Sequence, residues 1–403
     1  MFDTVSLYKC TSYDYDIVYE ALDGALSDID GLSFVKPGMT VGLKTNLVAA
    51  MAPEKAGTTH PILLKALCQK LLARGAKVVI GDSPGGIYTS AFVKNIYKGC
   101  GLTGMVEELS NASIKLNDDF SVKEATFNGK SLKNFFYTGW LDNVDAIINV
   151  SKLKSHAMMG MSCAVKNMFG TVPGATKPEY HMRFSEEMAF ANVMVDLNEY
   201  FKPVLYVVDA IDGMEGNGPT AGEKRHIGAI LASKKPYALD MVCADIINMG
   251  ISDCQTLKAA YERKLGPKTV SEVTVVGNTS PDLLRVHDFK RATSHQSITF
   301  EGGGFLNTVK SVLVKAVYIT KPILNESECI GCKKCYEACP AKAITMAKLS
   351  AGSKDQRKAQ LIPKIDRKKC IKCFCCQEFC PKGAMKVYEN PMAKLVHKIY
   401  RGR

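Results

Sequence analysis

Nine of the chain's fifteen cysteines fall between residues 329 and 380, and eight of them form two copies of one spacing. The first copy reads Cys329-Ile-Gly-Cys332-Lys-Lys-Cys335-Tyr-Glu-Ala-Cys339-Pro340, and the second Cys370-Ile-Lys-Cys373-Phe-Cys-Cys376-Gln-Glu-Phe-Cys380-Pro381. A duplicated unit implies two halves related by a pseudo-twofold axis. Two residues between successive cysteines let one tight turn aim three sulfurs at a single 4Fe-4S cubane, while the fourth, followed by proline, reaches the other cluster. The spacing therefore assigns Cys329, Cys332, Cys335 and Cys380 to one cluster, and Cys370, Cys373, Cys376 and Cys339 to a second. Zinc needs only paired Cys-x-x-Cys units, often with histidine, and leaves two complete copies of the longer pattern without a reason. Two 4Fe-4S clusters in one module predict one-electron transfer.

Clustered thiols in a chain of this length point to metal ligands in a reducing compartment rather than to disulfides. The first residues, MFDTVSLYKCTSYDYD, lack the basic start and apolar run of a signal peptide, and no stretch approaches the roughly 18 apolar residues of a membrane span. A cytoplasmic protein without a membrane span is expected. Cys375 lies outside the repeated spacing, and Cys10, Cys68, Cys100, Cys163, Cys243 and Cys254 read as small core residues. Among these Cys163 is singled out, because Lys166 and His156 lie close in sequence and would lower its pKa.

The net charge of +12 is informative once it is divided. From residue 329 onward there are 18 Lys and Arg against 5 Asp and Glu, whereas residues 1 to 328 carry 34 against 35. All of the basicity sits on the cysteine module, which predicts an acidic electron-transfer partner of the ferredoxin or flavodoxin type. Nucleic acid is the other class that a basic patch suggests, but Tyr336, Phe374, Phe379, Tyr388 and Tyr400 form no recognition motif, so none is expected.

Through the first 300 residues, apolar runs of strand length alternate with helical periodicity. Strands are predicted at Thr40–Leu43, Lys77–Ile80, Ala146–Val150, Val204–Val208, Ile227–Leu231 and Val270–Val276. Helices are predicted at Pro61–Arg74, Met188–Tyr200 and Leu239–Asn248. Strand, helix, strand implies an α/β body with a mostly parallel sheet over residues 1–301. Residues 302–322 read as a joint at Gly302–Gly304 and a connecting helix over Phe305–Ile319, ended by Pro322. An α+β ferredoxin-like module follows at 323–390, with a polar loop at Ser350–Gln360, and a basic tail covers 391–403.

Four segments of the body could carry chemistry. Lys152-Leu-Lys154-Ser-His156 follows a predicted strand, so its polar groups emerge at a strand's C-terminal end, where open parallel sheets bind ligands. Lys166, Asn167 and His181 follow and would suit a carboxylate or phosphate. Thr58-Thr59-His60-Pro61 opens a helix with His60 at the cap, either as a cap alone or as an anion site. Gly81-Asp82-Ser83-Pro84-Gly85-Gly86 would let a ligand approach the backbone, although it is no nucleotide motif. Asp209, Asp212 and Glu215 read as loop carboxylates, with a hard cation as the alternative.

Residues 329 to 388 look like bacterial two-cluster ferredoxins. The whole chain resembles the family called "domain of unknown function 362" in its ferredoxin-fused form. In the body the resemblance rests on Lys44-Thr-Asn46-Leu-Val, Thr58-Thr-His60-Pro61, Gly81-Asp82-Ser-Pro-Gly-Gly86, Lys152-Leu-Lys154-Ser-His156 and Lys166-Asn167-Met-Phe-Gly170. It implies the C-terminal clusters and little about the body's chemistry. The residues themselves predict an iron-sulfur oxidoreductase. Lys154, His156 and Lys166 would act on a small anionic substrate, bound with Lys44, His60 and Asp82. A ferredoxin-type carrier with a non-catalytic docking body is the rival.

Overall fold

The computed structural model describes residues 2–184, 186–292, 321–348, 361–371 and 373–388. The joint and connecting helix predicted over 302–319, the loop 350–360 and the tail 391–403 lie outside the described residues.

The strands of the body are β1 (Phe2–Lys9), β2 (Thr40–Lys44), β3 (Lys77–Gly81), β4 (Ile114–Leu116), β5 (Val122–Thr126), β6 (Asn134–Thr138), β7 (Ala146–His156), β8 (Gly160–Ser162), β9 (Leu205–Glu215), β10 (Glu223–Ser233) and β11 (Val273–Gly277). Strands β5 and β6 form a separate antiparallel pair. The others build one nine-stranded sheet in the order β11-β1-β10-β9-β7-β2-β3-β4, with β8 folded back onto β7. Pairing is parallel from β9 through β7, β2 and β3 to β4, and antiparallel only around β10 and β8. This is the mostly parallel α/β body that the alternation predicts.

Alternating side chains of each strand feed two cores. Val41, Leu43, Ile148, Val150 and Val207 pack with helices Tyr15–Ser27, Pro61–Leu72 and Ser90–Gly99 on one face. Leu153, Tyr206, Val208 and Leu231 pack with helix Pro236–Ile246 on the other. From β2 the chain winds outward through β3 to β4, and from β7 it winds the opposite way through β9. The order therefore reverses between β2 and β7, and a crevice at the C-terminal ends of these strands is where such sheets bind ligands.

Two strands run further than their apolar runs predict. β7 continues beyond Val150 to His156, and β9 beyond Val208 to Glu215. Lys152, Lys154 and His156 are therefore not loop groups emerging from a strand end: they are strand residues, and all three are buried. The period of two persists through them, with Leu153 and Ser155 on the opposite face, because each polar side chain meets a fixed partner inside the protein. Asp209, Asp212 and Glu215 likewise lie in a strand rather than a loop. Before β11, Val270–Glu272 is a 3-10 turn and not strand.

The module pairs β12 (Lys321–Leu324) with β15 (Met385–Tyr388) and β13 (Ile344–Lys348) with β14 (Leu361–Ile365), both antiparallel. One short helix follows each cysteine loop, Lys334–Glu337 in the first half and Cys375–Glu378 in the second. Among the described residues, its core is a small cluster centred on Cys335, Ile344, Cys376 and Met385. A core this small needs further staples, which bound clusters would supply.

Candidate functional site at the seam between body and module

Lys44, at the end of β2, is fully buried, with its Nζ 2.7 Å from Asp82 Oδ1. It donates to the Thr45 carbonyl at 2.7 Å and to Asn167 Oδ1 at 3.3 Å. Asp82, just past β3, also accepts from the Leu47 and Ser83 amides at 2.6 and 2.8 Å. Gly170 covers the pair so closely that a Cβ there would collide with both Asp82 and Lys44. Burial pulls the Lys44 ammonium down, and Asp82 opposes that pull. Removing one partner of such a buried pair costs about 3–5 kcal/mol, because an uncompensated charge stays behind.

Asn167 connects this pair to the next lysine. Its Nδ2 donates to Asn149 Oδ1 at 2.8 Å and to the Lys44 carbonyl at 3.2 Å, while its Oδ1 accepts from Asn46 Nδ2 at 3.0 Å. Asn46 turns its own Oδ1 to Lys154 Nζ, 2.6 Å away, and Lys154 also donates to the Gly57 carbonyl at 2.8 Å. Among the described residues, no carboxylate pairs with Lys154. Burial lowers its pKa to about 7, helped by Lys166 and Lys152 and opposed by Asp82 and Glu378. Lys177 is the same kind of group: it donates to the Ser83 carbonyl, and burial brings it to about 7.

His156 ends β7. Its Nδ1 accepts from the Met158 and Met159 amides, each at 3.1 Å, so the ring proton belongs on Nε2. Nε2 lies 2.9 Å from Oε1 of Glu378, a residue of the cysteine module, in an electrostatic contact without hydrogen-bond alignment. Burial raises the Glu378 carboxyl, but His156, His181 and Lys166 outweigh it and hold the group well below the carboxylate range. His181 is buried, with Nδ1 unpaired and its ring 4.4 Å from that of Phe190. Burial takes both histidines down to about 4. Lys166, partly buried, donates no hydrogen bond among the described residues; burial lowers its pKa, against the pull of Glu378.

The structure brings Lys44, Asp82, Lys154, His156 and Lys166 into one buried cluster beside Glu378, but it places His60 in a neighbouring cluster. His60 caps helix Pro61–Leu72, with Nδ1 accepting from the Ile62 amide at 3.2 Å. Its ring stacks on Tyr13 at 3.6 Å, and its amide donates to Asp209. Lys152 sits 3.0 Å from Asp209 and donates to the Tyr13 hydroxyl. Asp212 instead faces His226 and Lys224, and Glu215 faces Arg225 and Lys290. Among the described residues of the body, no three His, Cys, Asp or Glu side chains could hold a single metal ion. The expectation for Cys163 is reversed, because burial, Cys243 and Asp240 push its thiol up.

In the module, Cys329, Cys332, Cys335 and Cys380 line one small cavity. Cys339, Cys370, Cys373 and Cys376 line another, with Cys375 beside them. The Ala343 amide donates to Cys339 Sγ at 3.2 Å, and the Ala384 amide to Cys380 Sγ at 3.1 Å, one bond in each half. Four thiols per cavity, with amide donors on the sulfurs, fit two iron-sulfur clusters.

Between body and module lies a cavity of about 780 Å³, lined by Val48, Met51, Phe92 and Met214 from the body and by Glu378 and Cys380 from the module. Sequence reasoning missed Lys177, Asn46 as a connector, and Glu378. The last is hidden by the repeat, since Glu337 occupies the same place in the first half.

The model of the family described as "Domain of unknown function (DUF362)" matches residues 41–245, and that of the 4Fe-4S dicluster domain matches residues 328–384. The "Thylakoid-associated protein sll1697" of Synechocystis sp. is 31% identical over 277 residues, covering 68% of this chain and 83% of that protein. Among solved structures, the lactate racemase apoprotein from Thermoanaerobacterium thermosaccharolyticum aligns with a TM-score of 0.40 at 12% identity. That alignment covers 62% of this chain and 58% of that protein's length. The chain belongs to the DUF362 family, in a form that carries a 4Fe-4S dicluster domain at its C-terminal end.

Proposed function

We propose that this iron-sulfur protein is an oxidoreductase whose module relays electrons between an external carrier and an anionic ligand at the seam. The observation that carries this reading is the seam cavity, in which Cys380, a thiol of the first cluster set, shares the lining with the body. Its volume is that of a small-molecule site. One cluster is held by Cys329, Cys332, Cys335 and Cys380, and the other by Cys370, Cys373, Cys376 and Cys339. Each cluster, when bound, supplies one-electron redox chemistry.

The chain's own residues then have distinct tasks. Lys154, Lys166 and Lys177 hold the anionic group. Lys44 and Asp82 act through Asn167 and Asn46 to fix Lys154, and His60 fixes the start of its helix. His156, neutral with its proton on Nε2 and its other nitrogen tied to two amides, donates a hydrogen bond towards the anion at the seam. Thiolate ligands of this kind persist in a reducing compartment, and the cytoplasm is the location that suits them. No helix among the described residues is long and apolar enough to cross a membrane.

The test is to reduce the cluster-loaded chain without oxygen and follow reoxidation of its visible absorbance by a panel of small anions. At least one anion should reoxidise the wild type and fail with Lys166→Ala, while both clusters keep their spectra. Equal rates in the two proteins would leave a carrier with a docking body as the better account.

A further inference from the structure

The loop Ser83-Pro84-Gly85-Gly86 and the lysine-histidine crevice both look like places for a ligand, and two adjacent residues of the module fill them. Glu378 puts its carboxylate 2.9 Å from His156 Nε2, among Lys166 and His181. Phe379 lays its ring on Gly85 so closely that a Cβ there would fall inside the ring. The segment is anchored on both sides of these contacts. Thr220 Oγ1 donates to the Glu378 carbonyl at 3.0 Å, and Gln377 Nε2 donates to the Asn217 carbonyl at 3.3 Å.

The fit is imperfect where a better ligand would make it good. Among the described residues, His181 Nδ1 and Gln377 Oε1 are buried atoms without a hydrogen-bond partner, and His156 Nε2 and Glu378 Oε1 meet at 2.9 Å without hydrogen-bond alignment. Buried polar groups are normally paired, so two unpartnered atoms beside a misaligned pair mark a seam that another ligand would satisfy better than its present occupant. The space next to Glu378 and Phe379 is the cavity of about 780 Å³, with an apolar side formed by Val48, Met51, Ile87 and Phe92.

The geometry points to a binding site for a carboxylate attached to an apolar or aromatic group, in which Glu378 and Phe379 are a tethered stand-in that the ligand displaces. This rests on the anion-site reading above and narrows it from any anion to an aryl or alkyl carboxylic acid. It also makes docking of the module's second half and ligand binding mutually exclusive at this dipeptide. Inorganic phosphate lacks the apolar part and would bind weakly.

The test uses the full cluster-loaded chain and 3-phenylpropanoate as probe, with 3-phenylpropanamide and inorganic phosphate as controls, in calorimetric titrations. Glu378→Gln keeps the size and removes the competing charge. Because a tethered competitor acts at an effective concentration of about millimolar, the probe should bind this variant about tenfold more tightly than wild type. In wild type, saturating probe should speed amide hydrogen exchange over residues 375–380 and 217–220, a readout that needs no variant. Equal affinity in the two proteins, unchanged or slower exchange in those segments, or no binding to either protein would each overturn the proposal. Tight binding without reoxidation of the reduced protein would sink the oxidoreductase reading and leave this one standing.

Discussion

The two halves of the cysteine module share a spacing and a fold, but they meet different surroundings. In the first half, Tyr336 is 50% exposed and Glu337 is exposed at the rim of the seam cavity. In the second, Gln377 is 1% exposed, Glu378 is held by the body's histidines, and Phe379 stands where the first half has Ala338. Internal symmetry thus sets the cluster cages, and the departures from it, Gln377 for Tyr336 and Phe379 for Ala338, set which half turns to the body. On the relay proposed above, the residues between the third and fourth cysteines of each copy would give the duplicated module its direction.

The most damaging way to probe the comparison is to break the crossing between halves. Cys339→Ala should remove the cluster otherwise held by Cys370, Cys373 and Cys376, and Cys332→Ala should remove the other. Either variant should fall from about eight irons and eight acid-labile sulfides per chain to about four. Iron and sulfide assays with spectroscopy of the two variants check this. Loss of the same cluster in both would mean that each half keeps its own four cysteines.

A large effect is also expected on the body side. Lys154→Ala or His156→Ala should lower turnover about 100- to 1000-fold, the usual loss for one positioned donor, with both clusters intact. Glu337→Ala, at the matching place of the exposed half, should change nothing measurable. Steady-state rates with a reoxidising anion decide between these outcomes, and an equal loss in Glu337→Ala would remove the distinction between the halves.

Much of this arrangement is legible in the sequence, and the gaps have physical causes. The apolar cores of β2, β3, β7, β9 and β10 announce themselves as short runs between helical segments. The polar extensions of β7 and β9 do not, because Ser-Lys-Leu-Lys-Ser-His reads as surface until the partners that bury it are known. Lys152 needs Asp209 and Tyr13, and Lys154 needs Asn46 and the Gly57 carbonyl, all distant in sequence. The N-terminal β1 was unreadable for the same reason, since its pairing with β10 and β11 joins opposite ends of the body. Glu378 and Glu337 are alike in sequence, and only docking tells them apart.

The pH dependence of anion binding sharpens the contrast at the buried half. An anion binds the ammonium forms of Lys154 and Lys177, which burial brings to about 7. Lys154 faces Lys166, Lys152, Asp82 and Glu378, and Lys177 faces Asp82, Lys44, Lys166 and Glu378. Below that pH both are already charged and affinity should be level. Above it each lysine must first take up a proton, so affinity should fall by up to about tenfold per pH unit for each one. The histidines, held near 4, stay neutral throughout this range and cannot produce the effect. Titrations of 3-phenylpropanoate from pH 6 to about 9 check the slope. An anion held by exposed lysines at the rim would instead show no change until roughly pH 10.

The smallest expected effect concerns the exposed half, and it asks whether the module's surplus charge serves an external partner. Lys333, Lys334, Lys342, Lys364, Lys368, Lys369 and Lys382 are all exposed. Among the described residues none of them pairs with a carboxylate of the body. The charge of these seven lysines is therefore not consumed in docking the module to the described body. From residue 329 onward, 18 basic residues stand against 5 acidic ones. Two oxidised cubanes with their thiolates contribute about −2 each, which leaves roughly +9. Such a field steers an acidic carrier, but its reach shrinks to about 8 Å at physiological salt. Ile330, 52% exposed, and Tyr336 supply apolar surface beside the exposed Cys332, so part of the contact is insensitive to salt. Reduction by an acidic ferredoxin in stopped flow should accordingly slow only about three- to tenfold as salt rises from about 0.05 to 0.5 M. Replacing Lys333 and Lys334 with Ala should flatten that dependence, whereas Lys368 and Lys369, in the strand-to-cysteine turn of the other half, should matter less. A rate that ignores salt, or a larger loss from Lys368 and Lys369, would place the carrier elsewhere and undo the division of the module into a half that meets the partner and a half that meets the body.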